Sequence, residues 1–132
     1  MKLIIFTMTI LLTSPICYAK EYPQEVRAII GEASAEGYEG MLAVACAIRN
    51  RGTLKGVYGL KAKHVDRQPQ WVWRMASKAW EESGTRDITQ GATHWHNVER
   101  EGHNYWTRKL RQTVKIGSHT FFYEKGWGKE KR

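Results

Sequence analysis

Cysteine is almost missing from this chain of 132 residues, which has two, Cys17 and Cys46. The first falls in a segment that reads as a leader, so Cys46 is left alone and an internal disulfide is excluded. Its neighbours in "AVACAI" are small or apolar, which suits a buried structural thiol better than a nucleophile. Zinc-type spacings are missing too: there is no HExxH and no CxxC. Acids are scarce, 13 against 21 lysines and arginines, for a formal net charge of +8. The basic residues are scattered, and no helix sets them beside base-reading side chains, so nucleic acid is not an expected partner. There is no repeat and no low-complexity tract, and the length suits one domain with one core.

Long apolar runs are few. The first, in "MKLIIFTMTILLTSPICYA", extends from Leu3 to Leu12 after a single early lysine and precedes Pro15 and Ala19. A charged start, an apolar middle and a small residue before the cut describe a secretory signal peptide over residues 1–19. The run is short for a membrane span, so membrane contact is expected only through this segment. Residues 20–132 would then act outside the cytoplasm, in the periplasm, the cell wall or the medium, as a monomer. There, a basic domain meets acidic envelope polymers.

Beyond the leader, Pro23 suits a helix start, and Val26, Ile29, Ile30 and Ala33 mark one face of a short helix ending near Ser34. Eight apolar residues from Met41 to Ile48, rich in alanine and stopped by Gly52, predict a second helix, apolar all round, through the middle of the domain. Residues 52–69 read as loop. Trp73, Ala76 and Trp80 predict a core-facing third helix that ends at Gly84. "TRDITQGATHWHNV" is turn-rich and then alternates, and "TVKIGSHTFFYEKGW" reads as two short strands around Gly117 and Ser118. The tail "KGWGKEKR" is basic and solvated. The class is α+β, helical first and a small sheet last.

Glu32 stands out, set between Gly31 and Ala33 at the end of a helix. Open space above and apolar walls beneath disfavour a charge and suit a general acid. A salt bridge to Arg27, Arg49 or Arg51 is the structural alternative. Glu36 lies four residues on, but Gly37 ends the helix between them; it reads as a cap of the next helix or as a like charge that pushes a proton onto Glu32. Glu39 reads as surface. His94 and His96 share one side of a strand, and with His103 or His119 they offer nitrogens for a metal. No second acid stands at ligand spacing, so hydrogen bonding is the expected role and neither a metal nor another cofactor is expected. Among the aromatics, Trp73 and Trp80 read as core, and Trp71, Trp95 and Trp106 as groove candidates.

The fragments "AIIGEASAEGYEGMLAVACAIRNR", "QWVW", "DITQGATHWHN", Trp106 and "IGSHTFF", in this order, resemble the spore-cortex-lytic (SleB-type) cell wall hydrolase family over about residues 26–123. The resemblance implies a lysozyme-like catalytic domain that cleaves peptidoglycan glycan strands, in several members as a lytic transglycosylase. It puts the catalytic acid at Glu32 and the second motif glutamate at Glu36. Substrate-binding positions carry over to Gln70, Trp71, Trp95, His96, Asn97 and His119, and a turn motif to Asp87, Thr89, Gly91 and Ala92. Ile88 and Trp71 replace the usual proline and phenylalanine, and residues 53–68 match poorly. A water-using muramidase or glucosaminidase, a wall-binding module without activity, and a metal-dependent amidase on His94, His96 and His119 are the competing expectations.

Overall fold

The computed structural model describes residues 21–127. The expected leader and the end of the basic tail lie outside them.

Pro23 precedes α1, Gln24–Ala33, which buries Val26, Ala28, Ile29, Ile30 and Ala33. The chain then bends at Gly37, whose φ of 70° glycine adopts at little cost. The bend separates α1 from α2, Gly37–Arg51, so Glu32 and Glu36 are not neighbours on one helix face. Every residue of α2 from Gly40 to Ile48 is buried, and Gly52 ends it in the left-handed region. The apolar helix expected through the middle is therefore there, packed against α1, α3 and the sheet. Burying each large side chain such as Ile29, Ile30 or Met41 contributes about 1.5–3 kcal/mol. Cys46 is buried within α2, its thiol donating to the Arg86 carbonyl.

Residues 52–69 are not plain loop, as the sequence suggested. They form two 3₁₀ turns, Tyr58–Lys61 and Lys63–Arg67, pinned by the buried Val57, Gly59 and Val65. Helix α3, Gln70–Glu82, buries Val72, Ala76 and Ala79. Trp73 and Trp80 sit only at the margin of the core, because α3 is an outer helix. Trp73 packs on the Tyr22 ring, and Trp80 carries the Arg49 guanidinium at 3.9 Å.

Asp87 organises the turn that follows. It accepts from the Thr89 amide and hydroxyl, the Gly91 amide and Asn50 of α2. Burial raises the proton affinity of its carboxyl, but the bonds from Thr89 and Asn50 outweigh this and leave it below its usual value. The chain enters β1, His94–His96, then the short α4, Val98–Glu101, and the hairpin of β2, Arg111–Ile116, and β3, His119–Tyr123. The antiparallel sheet runs β1-β3-β2, and Ile116 pairs with His119 across Gly117 and Ser118, the turn foreseen in the sequence. Adjacent residues of β3 face opposite ways. Phe121 joins the helical core, and Phe122 meets Trp106 on the other face at 5.6 Å.

Candidate active site

The helical lobe and the sheet meet at a cleft of about 1110 Å³, with Glu32 and Trp95 among its walls. Two glycines set the position of Glu32. A Cβ on Gly31 would lie 2.0 Å from the Gly59 carbonyl oxygen, and one on Gly59 2.6 Å from Glu32 Cγ, so α1 and the first 3₁₀ turn touch backbone to backbone. That approach brings the Gly59 amide to Glu32 Oε1 at 2.6 Å. From the other side, the Trp95 indole donates to Glu32 Oε2 at 3.1 Å. Each carboxyl oxygen thus has a neutral N–H donor in place of the apolar walls anticipated. Among the described residues none of the three nearby arginines pairs with Glu32. Arg27 bonds Asp66 at 2.6 Å, Arg49 bonds Ser83 and the Trp80 carbonyl, and Arg51 bonds the carbonyls of Lys55 and Thr93.

Glu36 precedes α2, yet its side chain makes no capping bond. Its carboxylate instead accepts from the Ser118 hydroxyl and from the Ser118 amide at 3.0 Å, tying the β2–β3 turn to the α1–α2 junction. The capping role is corrected here: Gly40 and Gly117 leave room that a Cβ would fill, and the side chain lies in that space. The two bonds from Ser118 hold this carboxyl below its ordinary range, so it is an anion.

His94 and His96 each set a ring 5.6 Å from Trp106. Burial, and then the Arg51 charge, lower His94 to about 4. It is neutral near pH 7, and its 3.4 Å approach to Glu124 is not an ion pair. His96 Nε2 lies 3.0 Å from the Gly102 carbonyl, and the Asn97 side chain accepts from the Arg100 amide to start α4. His119 is lowered by burial, against the pull of Glu36 and Glu32, and among the described residues its enclosed Nδ1 has no hydrogen-bond partner. His103 lies 3.2 Å from Thr107 Oγ1, and among the described residues no three His, Cys, Asp or Glu side chains are grouped to hold a metal.

Of the positions expected to meet substrate, Glu32, Glu36, Trp95, His96, Asn97 and His119 line the one cleft. Gln70 and Trp71 do not. Gln70 starts α3, where it donates to the Tyr22 hydroxyl and lines a separate hollow of about 340 Å³. Tyr22 precedes α1, whereas Glu32 is near its other end, about 15 Å along the helix at 1.5 Å per residue. Trp71 is 56% exposed beside Gln70. Gly59, which bonds Glu32, and two cleft tyrosines, Tyr58 (84% exposed) and Tyr105 (77% exposed), went unread in the sequence, and buried Arg51 was read only as a possible salt-bridge partner of Glu32. Tyr58 adjoins Gly59 in the segment with the poorest motif match. Tyr105 adjoins Trp106, the only local signal it had.

A helical lobe, a small antiparallel sheet and a glutamate in the cleft between them define a lysozyme-like α+β domain. Among solved structures, the chain is similar to the catalytic domain of the Bacillus cereus SleB protein, at 25% identity and a TM-score of 0.57, over 76% of this chain and 87% of that one. It is equally similar to the catalytic domain of a germination-specific lytic transglycosylase, SleB, from Bacillus anthracis, with 25% identity, a TM-score of 0.56, and 76% and 91% covered. No family model and no curated protein matches the chain. The SleB-type resemblance of the motifs is therefore also a resemblance of structure.

Proposed function

We propose that the protein is an exported, monomeric lytic transglycosylase of peptidoglycan, with Glu32 as its single acid and base. The observation that carries this reading is the setting of Glu32: it faces the groove, and N–H donors on both oxygens hold it in place and suit the carboxylate that takes the second proton. The other acids of the cleft have neighbours of their own. Glu36 is bound by Ser118, Glu101 lies against Arg100 and His96, and Glu124 lies beside His94. A glycosidase that uses water normally needs a second carboxylate as base or nucleophile. A lytic transglycosylase does not.

In the proposed reaction Glu32 gives its proton to the oxygen that links N-acetylmuramic acid C1 to the next N-acetylglucosamine. The C1–O bond breaks, and the leaving sugar departs with that proton as a hydroxyl. Positive charge develops at C1, where the sugar's own acetamido group can steady it. Glu32, now a carboxylate, is held by Gly59 and Trp95 and takes the proton of the C6 hydroxyl. That oxygen closes on C1, a 1,6-anhydro end forms, and Glu32 is protonated again without water being consumed. Tyr58 and Tyr105 leave their rings exposed along the groove, faces that suit stacking on sugars.

The test is mass spectrometry of fragments released from purified sacculi by the protein and by Glu32→Gln. Anhydro-ended muropeptides from the first and none from the second are expected. Reducing ends would overturn the transglycosylase reading in favour of a hydrolase. Activity retained in Glu32→Gln would remove Glu32 from the chemistry.

A further inference from the structure

Arg51, in the last turn of α2, is only 7% exposed and, among the described residues, is hydrogen-bonded to no carboxylate. Its guanidinium lies 4.8 Å from the Trp127 ring and 5.9 Å from the Trp95 ring, and its Nε has no hydrogen-bond partner. A buried cation without a contacting anion is costly, so its position calls for a reason. The bonds it makes supply one. Nη1 donates to the Thr93 carbonyl at 3.0 Å, and Nη2 to the Lys55 carbonyl at 2.6 Å. Thr93 stands two residues before Trp95, whose indole reaches one oxygen of Glu32. Lys55 stands four residues before Gly59, whose amide reaches the other.

We propose that Arg51 is the positioning residue of the cleft, one planar fork that holds the two segments supplying both hydrogen-bond donors to Glu32. The inference rests on Glu32 as the acid for its catalytic consequence, but not for its geometry. Each arm also has contacts of its own. Thr93 is also held by the sheet, through its amide to the Phe122 carbonyl and its hydroxyl from the Glu124 amide. Residues 52–57 otherwise have local bonds, Lys55 to Thr53 and Val57 to Leu54, besides the buried Val57. The turn beyond them is also held to α1, by Arg27 Nε donating to the Leu60 carbonyl at 3.0 Å and by the contact of Gly59 with Gly31, so each arm has support besides Arg51. Lysine cannot replace it, because a single ammonium has no fork to span two carbonyls on separate segments. Burial lowers the proton affinity of Arg51, and the charges of Glu124 and then Glu32 oppose this.

The test uses proton–nitrogen correlation spectra and kinetics of the protein, Arg51→Met and Arg51→Lys. The amide of Gly59 and the indole of Trp95 report the two bonds to Glu32. The amides of Thr89 and Gly91, bonded to Asp87, report the fold elsewhere. In both variants the Gly59 and Trp95 signals should both move, with Thr89 and Gly91 in place. On a soluble glycan fragment, kcat should fall on the order of tenfold or more with KM within about twofold, the pattern of a displaced acid. Should Arg51→Met not fold, Arg51→Lys decides alone. Unmoved Gly59 and Trp95 signals would overturn the clamp, and so would a rise in KM at constant kcat. Should the unaltered protein cleave no glycan, the proposed function fails, and the spectra alone uphold or overturn the clamp.

Discussion

Two side chains of the cleft keep fixed charge states for opposite reasons. Glu36 stays ionised because Ser118 donates to both its oxygens, and His94 stays neutral because it is buried beside Arg51. The His94 case makes a stability prediction. Its folded value of about 4 lies below the ordinary 6.5, so between these the unfolded chain binds a proton that the folded protein refuses. Stability from this source is complete above about pH 6.5 and is lost as pH falls towards 4, by up to about 3 kcal/mol. Glu36, also lowered, adds a loss in the same direction below its ordinary 4.5. The melting midpoint should therefore drop by several degrees from pH 7 to pH 4.5, and drop less in His94→Gln; equal drops would refute the assignment to His94. At this scale the sequence disclosed the acid but not its donors. Glu32 was conspicuous beside Gly31 and Ala33, whereas Gly59 and Trp95 lie 27 and 63 residues away, distances that no local pattern bridges.

Elements were read best where a face is periodic or wholly apolar. Helix α2 announced itself by composition and by Gly52, and the hairpin by its two-residue turn. Helix α4 has four residues and is started by the Asn97 side chain, too short to carry a period. The 3₁₀ turns looked like loop because glycine and lysine dominate the stretch, while the contacts that fix them are single buried residues. One of those contacts is testable. A Cβ on Gly59 would fall 2.7 Å from the Glu32 amide nitrogen and 2.8 Å from the Ala28 carbonyl oxygen, backbone atoms that cannot swing aside. In Gly59→Ala the first 3₁₀ turn must withdraw from α1, at a cost of about 1–3 kcal/mol for overpacking. The same withdrawal breaks the bond to Glu32, so the variant should lose several degrees of melting temperature and most of its activity. A midpoint and rate like those of the unaltered protein would mean that the two backbones are not in contact.

For the whole molecule, the sequence correctly placed helices first and a sheet last, because hydrophobic patterning determines which lobe each segment can join. It misplaced Gln70 and Trp71 relative to that cleft, because motif order carries no information on which end of a helix a residue faces. Net charge is the remaining whole-chain property, and it bears on how a small domain stays on its substrate. With +8 in 132 residues, the exposed Arg74, Arg108, Lys109 and Arg111 among the cations, the surface attracts an anionic wall over a Debye length of about 10 Å near 0.1 M salt. At about 1 M that length contracts to about 3 Å, and only groups in contact still interact. Stacking of sugars on aromatic rings is much less sensitive to salt. Co-sedimentation of Glu32→Gln with sacculi, which binds without cutting in the proposed scheme, separates the two contributions. Binding should weaken at least several-fold between these salt concentrations, and a soluble glycan without charged peptide stems should show little change. If sacculus binding were equally strong at both, the groove rather than the basic surface would hold the protein to the wall.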